Sequence, residues 1–207
     1  MFIAIEGNDA AGKHTQTELL YNYLSEKEPT IKTEEPTKGP IGALAVQILN
    51  KGGHFDAATL QVLFSADRHW EYREQIEPAL SAGKNVVADR FKASTKVYGV
   101  AADLDNEWLE NLNADLPNPD ITFILDIDMK TIEERIHKRS VADNRPKDMH
   151  EKQLNFLGKV RDAYLAYQKE HKYVFLIDGS KSIEEVHGEI VKIVESHRDH
   201  SRIGSKT

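Results

Sequence analysis

Short runs of apolar residues, each followed by a stretch of helical period, govern what this chain can fold into. Residues 2–5, 85–88, 121–127 and 173–177 are almost unbroken in apolar side chains, and 30–33 is a weaker fifth run. Such runs suit strands that are covered on both faces. Between them Ile41, Leu44, Ala45, Ile48 and Leu49 recur at helical spacing. So do Leu154, Leu157, Tyr164 and Leu165, and later Ile183, Val186, Ile190, Ile193 and Val194. Ser182 with Glu185 reads as a capping box at the start of the last helix, and Thr131 with Glu134 repeats the signal. Strands alternating with helices predict an α/β fold, a parallel sheet of about five strands with helices on both faces.

The 207 residues suit one domain with a full core, and we place it at 1–197. The stretch 139–152 is charged, contains a proline and separates two helical patterns, as a solvated loop or a mobile lid would. The last residues, 198–207, are polar and unpatterned and read as a frayed or disordered tail. The opening residues lack the basic region and the length of a signal peptide, and no apolar run approaches membrane-spanning length.

A formal charge of −7 argues against a general binder of nucleic acid or membrane surfaces. A local arginine cluster can still hold a phosphate. The chain has no cysteine, which removes disulfides, thiolate metal sites and a cysteine nucleophile, and fits a cytoplasmic protein.

The chemistry starts at the first strand's end. GNDAAGKHT, residues 7–15, follows a strand and precedes a helical pattern containing Leu19, Leu20, Tyr23 and Leu24. That context marks a phosphate-binding loop. Gly7, Asn8, Asp9, Ala10, Ala11, Gly12, Lys13, His14 and Thr15 make the candidate ATP-binding segment. Gly7 and Gly12 allow backbone N–H groups to converge on an anion at a helix N-terminus. Lys13 would reach the β- and γ-phosphates as a point charge. His14 departs from the pattern, because a hydroxyl there ordinarily ligates Mg²⁺, which favours oxygen over imidazole. Thr15 is next door, but in this pattern it should face the α-phosphate. We therefore expect Mg²⁺, as the partner of ATP, to keep water at that position and to rely on a carboxylate.

Asp89 ends a strand and is that carboxylate, the candidate metal ligand. Arg90 follows at the carboxyl end of the sheet, where α/β folds bind ligands. Taken alone, an Asp-Arg pair more often marks a structural salt bridge; the phosphate loop upstream tips it towards a functional reading. Phe64 and Arg68 lie one helical turn apart on one face, which suits either an aromatic core position or a base site.

Three stretches resemble the thymidylate kinase family of phosphate-loop nucleoside monophosphate kinases: IAIEGNDAAGK, LFSADRHWEYREQIEPALSAGKNVVADR and DRFKASTKVY. Weaker echoes run in family order to about residue 190. The resemblance implies transfer of the γ-phosphate of ATP to dTMP, giving dTDP. It implies that Arg90 holds the acceptor phosphate and that Asp9 sits between acceptor and metal region. It implies that Phe64 stacks on thymine and Arg68 bonds its edge, that Ser94 and Thr95 border the base and Tyr98 the sugar, and that Glu35 and Pro36 form part of the acceptor wall. Stacking is worth ~1–3 kcal/mol for any base, so selectivity must come from edge hydrogen bonds. The stretch 139–152 corresponds to the family's lid. Ala10 stands where some members carry a catalytic arginine, so Arg145 or Arg139 would supply positive charge to the moving phosphoryl group. An exposed basic run reads those arginines equally well. The family also implies a cytoplasmic homodimer.

Departures from the family include His14, Glu34 before the Glu-Pro pair, Thr95 in a position that some members fill with an amide, Gly99, and Met149 with His150 in the lid stretch. A kinase for another nucleoside monophosphate, or for a nucleoside, is the nearest alternative. A slow nucleotide-binding regulatory homologue, suggested by His14, is a third.

Overall fold

The computed structural model describes residues 1–50, 56–140 and 147–204. Five strands form one sheet: β1 (Phe2–Gly7), β2 (Thr30–Glu34), β3 (Asn85–Asp89), β4 (Ile121–Asp126) and β5 (Val174–Asp178). Their order is β2-β3-β1-β4-β5 and every neighbouring pair is parallel. All carboxyl ends therefore open on one edge. Gly7, Glu34, Asp89, Asp126 and Asp178 stand along that edge.

Alternation along each strand sends side chains to two separate cores. Ile3 and Ile5 of β1, Val87 of β3 and Phe123 and Leu125 of β4 are fully buried on one face. There they meet Leu20 and Leu24 of helix α1 (Lys13–Ser25). Val186, Ile190 and Val194 of the C-terminal helix, Ile183–Gly204, complete that face. Phe2, Ala4, Val86 and Ala88 point the other way, onto Ile76, Ala79 and Phe91. A third cluster joins Ile124 of β4 to the helices Lys92–Ala101 and Lys147–Glu170 through Val97, Val160, Tyr164 and Val174.

In chain order the helices are α1, α2 (Pro40–Asn50), α3 (Ala57–Glu71), α4 (Glu77–Ser81), α5 (Lys92–Ala101), α6 (Asn106–Asn111), α7 (Met129–Ser140), α8 (Lys147–Glu170) and α9 (Ile183–Gly204). A π-helical stretch, Tyr72–Ile76, joins α3 to α4. Among the described residues, no helix is long and apolar enough to cross a membrane.

Ser182 and Glu185 do form the reciprocal cap of α9, each side chain accepting the other's backbone N–H at 3.0 and 3.2 Å. The cap of α7 falls three residues earlier than Thr131. Asp128 accepts the Thr131 N–H at 2.7 Å, so Thr131 is already inside the helix. Asp is as good a cap as Thr, and it reaches the exposed donor first. Of the polar segment expected as a tail, the residues up to Gly204 belong to α9, and 205–207 lie outside the described residues. Arg198 donates to the Glu28 carboxylate at 2.9 Å, giving the helix a partner beyond its apolar stripe.

Candidate active site

The loop after β1 is built by backbone conformation. Gly7, Ala10 and Gly12 all have positive φ, at 139°, 66° and 98°. A side chain at Gly7 would meet the Leu125 carbonyl oxygen at 2.6 Å, so only glycine fits between β1 and β4. The left-handed turns curl the chain into a concavity that ends at the N-terminus of α1, a geometry suited to an anion. Lys13 is buried and donates from Nζ to the Asn8 carbonyl at 2.9 Å. Burial, followed by the nearby Arg90 charge, pulls its ammonium down to about 7. Asp9, Asp89 and Glu6 oppose that shift only in part, and an arriving polyphosphate would add the negative charge that favours the ammonium.

Arg135 braces the loop from α7. It donates to the carbonyls of Ala10 at 3.1 Å and Gly179 at 3.2 Å. The lid candidates are placed less fully: Arg145 and the side chain of Arg139 lie outside the described residues.

On the acceptor side Arg90 adopts φ 74°, a left-handed conformation that costs a non-glycine residue energy and recurs at functional sites. Its guanidinium donates to Asp9 at 2.7 Å and to the Tyr98 hydroxyl at 3.0 Å. It also reaches Ser94 at 3.1 Å and Tyr164 at 3.4 Å. Beneath it Glu6, fully buried, accepts from the Phe91 N–H at 2.8 Å, the Ser94 hydroxyl at 2.6 Å and the Tyr164 hydroxyl at 2.8 Å. Glu6 thereby holds the turn that bends Arg90 into the cleft. Glu6 was not among the residues expected at the site, and Tyr164 was expected only as part of a helix face. A charged residue inside an otherwise apolar strand was the available signal for Glu6.

A cavity of ≈ 360 Å³ opens beside Arg90. Asp9, Glu35, Pro36, Phe64, Arg68, Arg90, Ser94, Thr95 and Tyr98 all line it, together with Gln61, Leu60 and Phe156. That size is in the range of small-molecule sites. The nine residues expected at the acceptor site thus meet on one surface, brought there from the loop, the β2 end, α3 and α5.

Arg68 is buried and largely committed. Its Nε and Nη2 donate to the Glu35 carboxylate, and its Nη1 donates to Thr95 at 2.6 Å and Asn113 at 2.9 Å. Those bonds use four of the five guanidinium N–H groups, leaving one for a ligand. Burial drives the Glu35 carboxyl up while Arg68 opposes that shift. Asn113 is a further supporting residue that its asparagine-rich surroundings had concealed.

Asp89 stands at the end of β3, with its carboxyl pushed up by burial and held back by Lys13 and Arg90. His14 faces it, Nδ1 to Oδ2, at 4.0 Å. Thr15 is exposed beside it. Among the described residues, no group of three or more His, Asp or Glu forms a ready metal cage.

A family model for thymidylate kinase matches residues 5–190. The chain belongs to the thymidylate kinase family. A probable thymidylate kinase of Pyrobaculum aerophilum is 37% identical over 195 residues, covering 94% of this chain and 96% of that protein. A thymidylate kinase of Fervidobacterium nodosum is also 37% identical, over 203 residues, covering 95% and 100%. A crystal structure of thymidylate kinase from Ehrlichia chaffeensis superposes with a TM-score of 0.76 at 29% identity, covering 94% of this chain and 98% of that one. The sheet order and the loop after β1 therefore belong to a thymidylate kinase fold, and thymidylate kinase activity, with ATP as donor, goes with the family match.

Proposed function

We propose that the chain passes the γ-phosphoryl group of ATP to dTMP across the junction of the phosphate loop and Arg90, with thymidine seated in the ≈ 360 Å³ cavity. One observation carries the site assignment: the cavity gathers all nine acceptor residues, and Arg90 joins it to Asp9 of the loop.

The loop amides and Lys13 hold the β- and γ-phosphates. Arg90, already held by Asp9 and Tyr98, takes the acceptor phosphate. A phosphate monoester has a second pKa of about 6 and is a dianion near neutral pH, so no side chain need remove a proton. One of its oxygens bonds to Pγ as the bond from Pγ to the β–γ bridging oxygen breaks, and ADP leaves with that electron pair. Positioning and charge neutralisation are the protein's contributions. Arg145 or Arg139 supplies further positive charge from the lid.

The donor set offers Mg²⁺ one hard protein ligand, the Asp89 carboxylate, and nucleotide oxygens and water would be among the remaining ligands. When bound, Mg²⁺ neutralises charge on the β- and γ-oxygens. A cytoplasmic homodimer belongs to the same reading and rests on the family resemblance.

Phe64→Ala tests the base site. The KM for dTMP should rise by roughly 5–150-fold, from the loss of ~1–3 kcal/mol of stacking, with the KM for ATP little changed. An unaltered KM for dTMP would remove Phe64 from the site.

A further inference from the structure

His14 takes the position that a hydroxyl fills in the usual loop pattern, and its imidazole is 71% exposed at the start of α1. Its Nδ1 lies 4.0 Å from Oδ2 of Asp89, and its Nε2 lies 4.0 Å from Oε1 of Glu18, one turn further along α1. His14, Glu18 and Asp89 line one cavity of ≈ 280 Å³ beside the loop, whose lining also includes Thr17, Lys32 and Lys38.

Three features of this arrangement point the same way. The separation of His14 and Asp89 is close to twice a metal–ligand bond of ~2.0–2.2 Å, so one ion can touch both after small side-chain movements. The exposed imidazole is free to make them. Glu18 lies 4.0 Å from the other ring nitrogen, so the ring rotation that brings His14 to an ion could also bring its Nε2–H to a carboxylate, as in many metal-binding histidines. Lys32 in turn holds Glu18 in place.

We propose that His14 is a direct ligand of the divalent cation that enters with the nucleotide, sharing it with Asp89. Imidazole suits the first-row transition ions better than it suits Mg²⁺, whose partners are oxygens. The substitution therefore moves the cation preference of this site from Mg²⁺ towards Mn²⁺ and Co²⁺. The inference rests on the loop being the ATP site.

The test uses the full chain with ADP, and Mn²⁺ as the probe ion. Pulsed electron paramagnetic resonance of the ADP–Mn²⁺ complex should show nitrogen coupling to the ion. Labelling the histidines with ¹⁵N should convert that coupling to the ¹⁵N pattern, which separates imidazole from the nitrogens of adenine. His14→Ser should abolish it while ADP still binds. Equilibrium dialysis with ADP should then show the Mn²⁺-to-Mg²⁺ affinity ratio falling by at least roughly 10-fold in His14→Ser, the scale on which altered ligation changes metal affinity. A bound ADP–Mn²⁺ complex whose spectrum ignores both the label and the substitution would overturn the role of His14 alone, leaving an Asp89–water site. Failure of ADP to bind the parent chain would overturn the loop assignment and this inference together.

Discussion

The Arg90 guanidinium donates to the Asp9 carboxylate at 2.7 Å, and so ties the acceptor cavity to the phosphate loop. Asp9 is more than half exposed, whereas the arginine is mostly covered. The pair therefore orients Arg90 more than it stabilises the fold, since ion pairs with an exposed partner are weak. Arg90→Ala is expected to raise the KM for dTMP by roughly 10–100-fold, the scale of one charge-assisted hydrogen bond, about 1.5–3 kcal/mol. The KM for ATP should stay near its parent value. Arg90→Lys should not restore dTMP binding, because an ammonium cannot span Asp9, Tyr98 and a phosphate at once. Steady-state kinetics with each substrate varied in turn decides it.

Lys13 gives a proton-linked signature. In the free loop burial and Arg90 lower its pKa to about 7. Bound phosphate favours the charged form and raises that value. About one pH unit above 7 the free lysine is mostly neutral, so nucleotide binding should take up a proton there. About one unit below, the lysine is charged already and uptake should vanish. Calorimetry of ADP binding in buffers of different ionisation enthalpy measures the uptake. Lys13→Met, which cannot take the proton, should bind far more weakly and show none.

Glu71 links stability to pH. It is buried, its Oε2 has no hydrogen-bond partner, and burial with the neighbouring Glu35 and Asp67 carboxylates pushes its pKa up to about 9 from 4.5. Unfolded, it ionises near 4.5; folded, it keeps its proton until about 9. Between those values the folded state holds more protons, so this group's contribution to stability falls as pH rises. Glu71→Gln stays neutral throughout. Its Tm should gain on the parent's by several degrees as pH is raised across that window, each kcal/mol being worth roughly 2–4 °C at this size. Thermal unfolding followed by circular dichroism at a series of pH values checks the trend. A constant difference would mean that Glu71 ionises normally in the fold.

Local signals were legible in the sequence, and long-range partners were not. Four strands were plainly visible: β1, β3 and β4 lie at the centre of the sheet and must be apolar on both faces, and β5 keeps an apolar run at one edge, while the other edge strand, β2, is mostly polar and only partly buried and gave the weakest signal. The loop was visible because its glycines, lysine and following helix are contiguous. The acceptor residues could be named because the family motifs span them, although nothing local tells Phe64 from a core aromatic. Glu6 was missed because its partners Ser94 and Tyr164 are 88 and 158 residues away. The engagement of Arg68 by Glu35, Thr95 and Asn113, which leaves it one free N–H, is equally a property of the fold, since those residues come from separate elements. Thr131 misled as a cap because Asp128, a better-placed acceptor, precedes it.

The cavity beside Arg90 is proposed to select thymidine monophosphate as the acceptor for ATP. A coupled assay of ADP release tests it directly, run with dTMP, dUMP, dCMP, dAMP and thymidine under identical conditions. The highest kcat/KM is expected with dTMP, weaker turnover with dUMP, and little with the remaining acceptors. Tight ATP binding without turnover of dTMP, or a clear preference for another acceptor, would contradict it.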